Sequence, residues 1–147
     1  MKKPPTSADR LRRAGLRATA PRLALLEALA RDRRHPTAEM VFEDLRTDHP
    51  SISLSTVYAT LETFLGLGLV RRVAPVSGKM RFDGTPPDHD HATCRGCGRV
   101  FDVERSAVRR PRPPATLPEG LRVVNVFIEY DVVCSSCAGE EPGRSQR

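Results

Sequence analysis

No stretch of this 147-residue chain is apolar over the roughly 20 residues that a bilayer-spanning helix needs. The opening MKKPPTSADR carries two lysines but lacks the apolar segment of a secretion leader. These two absences lead to the expectation of a cytoplasmic protein with no membrane partner. Internal repeats are missing too, apart from two short cysteine pairs. Cysteine is scarce, at 4 residues, and in a reducing compartment C-x₂-C pairs read as thiolate metal ligands and not as a disulfide framework. An obvious second acid/base pair and a substrate-pocket signal are also lacking, which argues against an enzyme.

What is present is unevenly distributed. Met1 to Asp83 holds 15 Lys+Arg against 9 Asp+Glu, whereas Gly84 to Arg147 holds 9 of each. The whole excess of +6 therefore sits in the first half, as expected if that half meets a polyanion. Modest positive charge also serves solubility, so charge alone does not decide for nucleic acid. Either half alone is near the size at which an apolar core is marginal, and a structural metal would help it.

The first half reads as short helices. Ser7 is expected to cap a helix from Ala8 to Ala14, which Gly15 ends. Thr19 caps a second, with Pro21 in its first turn and Leu23, Leu26, Leu29 and Ala30 on one face. Thr37 opens a third, with Met40, Val41 and Leu45 on one side. Ser53 or Ser55 caps a fourth, whose stripe is Val57, Leu61, Phe64 and Leu65. Two β-patterns follow, Leu69 to Val73 and Lys79 to Asp83, joined by a turn around Ser77-Gly78. Helices followed by a hairpin make a winged helix-turn-helix, with Ser55 to Phe64 as its recognition helix.

The segment GTPPD (Gly84 to Asp88) is a proline-stiffened hinge. Beyond it His91 to Thr93, Val100 to Val103 and Leu121 to Val133 read as strands. Four prolines between Arg105 and Pro118 exclude a long helix there. The fold class is thus α+β: a winged-helix domain over residues 1–83, a hinge over 84–90, a small β-rich domain over 91–138 and a polar tail over 139–147.

Two constellations carry metal chemistry. Cys94 and Cys97 form one knuckle, and Cys134 and Cys137 form another after 36 intervening residues. Four thiolates suit tetrahedral zinc and leave no open coordination position, so this site is read as structural. A redox dithiol, for which one pair would suffice, and four unrelated buried thiols are the other readings. The second constellation has no local pattern. His89 and His91 are two apart, so on a strand they point the same way. Asp83 and Asp102 can approach them if the hinge folds back, and His35 lies far upstream. Such donors suit Fe(II), Mn(II) or Zn(II). Solvated carboxylates and a loop histidine remain the alternative from spacing alone.

The stretches GLRATAPRLALLEAL (Gly15 to Leu29), HPTAEMVFEDL (His35 to Leu45), ISLSTVYATLETFLGLGLV (Ile52 to Val70), RFD (Arg81 to Asp83), DHDHATCRGCGRVFDV (Asp88 to Val103) and CSSC (Cys134 to Cys137) resemble the ferric uptake regulator (Fur) family of bacterial metal-dependent repressors. The resemblance implies a homodimer, with the second domain as the dimerisation domain, acting on a palindromic, A·T-rich double-stranded DNA operator. It implies structural zinc on Cys94, Cys97, Cys134 and Cys137. It also implies a regulatory Fe(II) or Mn(II) site on His35, Asp83, His89, His91 and Asp102 that closes the dimer onto DNA.

An aspartate at position 102 is similar to the family's peroxide-sensing branch, in which iron-catalysed oxidation of a ligand histidine, here His35 or His89, releases DNA. An iron- or manganese-responsive repressor without peroxide sensing is the alternative. By the same resemblance Arg17 enters the minor groove, while Ser55, Thr56 and Tyr58 reach bases or phosphates. Three departures stand out. Ala59 replaces a polar or basic residue, the RPRPP segment (Arg110 to Pro114) replaces a helix, and Val126 replaces a histidine of a third metal site, so no third site is expected.

Overall fold

Helices one, three and four of the first half start where a hydroxyl side chain accepts from a free backbone amide, whereas the second starts at a threonine that makes no such bond. The computed structural model describes residues 4–73, 78–112, 114 and 117–139. Helix α1 (Ser7–Arg13) is capped by Thr6, whose hydroxyl accepts from the Asp9 amide at 3.1 Å, while the Asp9 carboxylate accepts from the Thr6 amide at 3.1 Å. Ser7 is thus the first helical residue and not the cap. Only Thr6 has a carboxylate three positions on to return the bond. Gly15, at φ 77°, ends the helix.

Helices α2 (Ala20–Arg31), α3 (Ala38–Leu45) and α4 (Leu54–Gly66) follow. Thr19, Thr37 and Ser53 occupy their N-cap positions, so Ser53 and not Ser55 opens the recognition helix. The Ser53 hydroxyl accepts from the Thr56 amide at 3.1 Å. Helix α4 runs on through Gly66, and the stop falls at Gly68, whose φ is 67°. Strands β1 (Arg71–Val73) and β2 (Arg81–Asp83) pair antiparallel as the wing. The expected turn lies partly outside the described residues, at Ser77.

The chain divides into two units, Met1–Pro86 and Pro87–Arg147. The core of the first is aliphatic: Leu11, Leu25, Leu26 and Leu29 meet Val41, Val57, Leu61 and Phe64, and Val70 and Phe82 close it from the wing side. Gly84 must be a glycine here, because a Cβ would stand 2.9 Å from that of Leu29. Arg10 reaches across the unit to the carbonyls of Gly84 (3.0 Å) and Leu69 (2.7 Å).

The second unit is built on β3 (Asp90–Cys94), the middle strand of three. Strand β4 (Val100–Val103) pairs with it antiparallel, and β5 (Glu129–Val132) pairs with it parallel. A parallel neighbour needs a long crossover, which residues 104–128 provide; its described residues include a short 3₁₀ turn, Arg105–Ala107. The expected strand over Leu121 to Val133 is therefore too long: only Glu129–Val132 is strand. Residues 121–128 are not strand, and Leu121, Val123, Val124 and Phe127 stand exposed, Val124 at 84 %. The prolines of the crossover end no helix; Pro113 and most of the polar tail, residues 140–147, lie outside the described residues. No helix among the described residues is long and apolar enough to cross a membrane.

Candidate metal centres

The end of β3 delivers Cys94 into a tight turn. The Gly98 amide donates back to the Cys94 carbonyl at 2.8 Å, with Gly98 at φ 71°, so Cys97 is folded towards Cys94. The second knuckle closes likewise, Cys137 N donating to Cys134 O at 2.9 Å. Parallel pairing of β5 on β3 brings the knuckles together: the Arg95 amide meets Val132 O at 2.8 Å, and the Cys134 amide donates to Cys94 Sγ at 3.3 Å. All four sulfurs lie within 4.8 Å of one another.

Zinc fits this set. A tetrahedron with Zn–S bonds of about 2.3 Å has edges of about 3.8 Å, and Cys97 Sγ to Cys134 Sγ is 3.8 Å. The cradle has no spare room, because a Cβ on Gly96 would stand 2.9 Å from both Cys137 Cβ and Sγ. Arg99 supplies charge from outside: its guanidinium donates to Cys97 Sγ at 3.4 Å, Cys134 Sγ at 3.1 Å and Ser136 Oγ at 3.1 Å. That contact draws the Cys134 thiol down to about 6. The neighbouring sulfurs of Cys134 and Cys97 push Cys137 up to about 12. Four thiolates cannot all ionise side by side without a cation among them, and one guanidinium compensates only part of their charge.

The histidines and aspartates form two groups, one in each unit. In the first unit His35 is fully buried with φ 54°, a left-handed backbone that costs a non-glycine residue free energy and marks functional positions. Its backbone is held from β2, where Arg81 donates to the His35 carbonyl at 3.0 Å and Phe82 N to the Pro36 carbonyl at 3.0 Å. Asp83 ends that strand, with a carboxylate oxygen within 4.8 Å of a His35 ring nitrogen. Asp83 also accepts from Arg71 (2.5 Å) and from the Thr85 amide (2.8 Å).

In the second unit His89 and His91 flank Asp90 at the start of β3, and all three are buried. The two rings meet edge to face with centroids 4.8 Å apart. His89 Nδ1 lies 2.9 Å from the Pro87 carbonyl, which can only accept, so Nδ1 carries the proton. Its Nε2 faces Asp102 Oδ1 at 3.3 Å. A lone pair and a carboxylate at that distance repel each other unless a proton or a metal cation lies between them. A backbone carbonyl fixing the far nitrogen is the usual way a metal-binding imidazole is oriented.

The expected DNA-contacting residues all lie in the first unit. Ser55 and Thr56 are exposed at the start of α4, and the Ser53 hydroxyl lies 2.8 Å from each of their hydroxyls. Tyr58 is 42 % exposed and donates to Glu39 Oε1 at 2.7 Å. The Arg17 carbonyl accepts from Arg22 at 3.3 Å. Arg22 also lines a shallow groove with Ser55, Thr56, Ala59, Thr60 and Thr63. Sequence reasoning did not single out Glu39, Arg22 or Arg99: each acts through a contact distant in sequence or within the hydroxyl-rich helix face, and no motif marks it.

The model of the ferric uptake regulator family matches residues 13–131. The peroxide operon regulator of Bacillus subtilis is 32 % identical over 133 residues, 90 % of this chain and 92 % of that protein. The peroxide-responsive repressor PerR of Staphylococcus aureus is 32 % identical over 127 residues, 86 % of either chain. Among solved structures, the manganese-containing ferric uptake regulator of Pseudomonas aeruginosa superposes with a TM-score of 0.69 at 28 % identity, covering 88 % of this chain and 98 % of its own. The Campylobacter jejuni peroxide stress regulator gives 0.63 at 28 % identity, covering 78 % and 87 %. With the family model matched over residues 13–131 and relatives at 32 % identity along nearly the whole chain, the chain belongs to the ferric uptake regulator family of metal-responsive regulators.

Proposed function

We propose that this protein is a cytoplasmic, homodimeric, metal-dependent DNA-binding repressor that senses hydrogen peroxide. The observation that carries this reading is His89, whose ring is fixed by Pro87 and whose Nε2 is turned to Asp102 at 3.3 Å. That pair, with His91, supplies three donors; His35 and Asp83 supply two more from the other side of the hinge. Neither group alone completes a borderline metal's coordination. An ion sharing both would fix the orientation of the winged helix, and its loss would free it.

Fe(II) held by these residues supplies the electron-transfer chemistry that hydrogen peroxide needs. The chain's part is to present an imidazole, His35 or His89, as the group oxidised. Net, one ring C–H becomes C–O and water is the other product, so two electrons leave the ring and two enter the peroxide. An oxidised ring is a poorer donor, and the ligand set falls apart. The peroxide regulators among the relatives support this branch. The same nitrogen and oxygen donors also suit Mn(II), so a repressor responding to iron or manganese without peroxide sensing is the second reading.

Zinc on the four cysteines ties the first knuckle to the last strand and holds the second unit together. A second copy of the chain is the natural cover for Leu121, Val123 and Val124, whose apolar side chains stand exposed. On DNA, Arg17 serves the minor groove and Ser55, Thr56 and Tyr58 reach bases or the phosphates beside them, as exposed residues of the basic unit.

A gel shift on an A·T-rich palindrome tests this, with Fe(II)-loaded, Mn(II)-loaded and metal-free protein, each with and without peroxide. Metal-dependent binding lost only with iron plus peroxide, with one oxygen added at His35 or His89 by mass spectrometry, is the expected result. Binding that survives peroxide in every lane leaves the second reading. Binding indifferent to metal overturns both.

A further inference from the structure

Beside the paired histidines of β3 lies a second polar cluster, confined to the second unit. Asp90 sits between His89 and His91 in sequence and is fully buried. Its carboxylate is met by Arg110 Nη1 at 2.6 Å and Nη2 at 3.5 Å, and by the Ile128 amide at 3.0 Å. Arg110 Nη2 also donates to the Val126 carbonyl. Arg105 repeats the arrangement one step outward: Nη1 lies 3.6 Å from Asp88 Oδ2, and Nη2 donates to Asn125 Oδ1 at 3.1 Å and to Val126 O at 3.5 Å. The Asn125 amide closes the ring, donating to Asp88 Oδ2 at 3.3 Å. The Arg105 guanidinium stacks over Phe127 at 5.0 Å.

The acceptors here are all oxygens: two carboxylates, a side-chain amide and one carbonyl shared by both arginines. Converging hard oxygen donors with two negative charges are what Mn²⁺, Mg²⁺ or Ca²⁺ select. Two guanidinium groups bring two positive charges, and their planar forks satisfy the oxygens directionally. Arg110 precedes Pro111, which restricts its backbone to extended conformations and helps fix where its side chain starts.

We propose that Arg105 and Arg110 are built-in cations: they fill an oxygen-donor nest made by Asp88, Asp90, Asn125 and the Val126 carbonyl, and so bar divalent metal from it. They are positioning residues for the histidine site. With Asp90 engaged by Arg110, the carboxylate between the two imidazoles is withheld from their ligand set, and the transition-metal donors of this unit remain His89, His91 and Asp102.

The test is a count of Mn²⁺ bound per chain by full-length, zinc-replete protein, from the loss of the free-ion signal in electron paramagnetic resonance. The R105Q/R110Q double variant is expected to bind one more Mn²⁺ per chain than the wild type, and R105K/R110K to return to the wild-type count. D90N is expected to leave the wild-type count unchanged. A double variant with full zinc content and wild-type circular dichroism that gains no ion overturns the proposal. So does a D90N protein that loses one, because Asp90 would then already be a metal ligand. If the double variant fails to keep its zinc, the D90N count decides. The idea draws on the proposed histidine site only for its consequence: wild-type protein binding no Mn²⁺ would sink that site, while the gain in the double variant is a difference and is judged on its own.

Discussion

Single side chains set the chemistry of both metal groups, and Arg99 is the clearest case because it touches two of the four sulfurs. Hydrogen bonds from such outer residues commonly contribute 10–100-fold in metal affinity. R99Q is expected to weaken zinc by about that factor, read by competition with a coloured chelator, while C97S is expected to lose zinc outright along with the fold of the second unit. Glu39 gives a pH signature. Its carboxyl is drawn down to about 2, first by the Tyr58 hydroxyl and then by Thr37. A depressed carboxylate favours the folded state fully above its unfolded value of about 4.3, and that contribution is lost as pH falls through about 2. An NMR titration should find the Glu39 midpoint near 2 in the wild type and closer to the ordinary value in Y58F. A midpoint unchanged by Y58F would mean that the 2.7 Å bond is not formed in solution.

Elements reveal how far the sequence could be read. Helix α4 was legible because Ser53, Val57, Leu61 and Phe64 repeat at a helical step and all three apolar members are buried. L61A is expected to cost about 2–5 kcal/mol in urea unfolding, the usual range for a fully buried leucine. The cap of α1 lies one residue before the expected Ser7: Thr6 and Ser7 are both good caps, and only the returning Asp9 bond separates them. Leu121 to Val133 was over-extended for a different reason. Valine and phenylalanine favour a pleated, half-buried surface, but a strand also needs a neighbour, and β3 offers its edge only to Glu129–Val132. Each cysteine knuckle was legible because its spacing is local, whereas the meeting of the two across 36 intervening residues depends on the parallel pairing of β5 with β3. The Asp90–Arg110 pair spans 20 positions and lies in no motif, so nothing short of the fold could suggest it.

For the molecule as a whole, the charge asymmetry and the split ligand set make separable predictions. If the basic first unit docks on phosphates, DNA affinity should fall steeply and linearly with log salt at a slope of about −0.9 per phosphate neutralised. H89A should abolish metal-dependent binding with that slope's residual weak component left intact. A variant that still binds DNA only with metal would show that His89 is no ligand. Stripping zinc from the cysteines should instead dissociate the proposed dimer, seen as halved mass in sedimentation, before any effect on the winged helix, whose core of Leu11, Leu25, Leu29 and Phe64 is built from the first unit's own residues.

The parallel strand that joins the two knuckles also fixes an order of events on the ribosome. All of the winged helix and the Cys94–Cys97 knuckle emerge before the Cys134–Cys137 knuckle, which follows 36 residues later. At roughly 5–20 residues per second that is a lag of about 2–7 s. During it a nascent chain can fold its helices and hairpin, yet it holds only half a thiolate cage and a central strand with one side open. Zinc capture is therefore a late step of biogenesis, and a cell short of zinc would accumulate chains with a finished first unit and an unfinished second one.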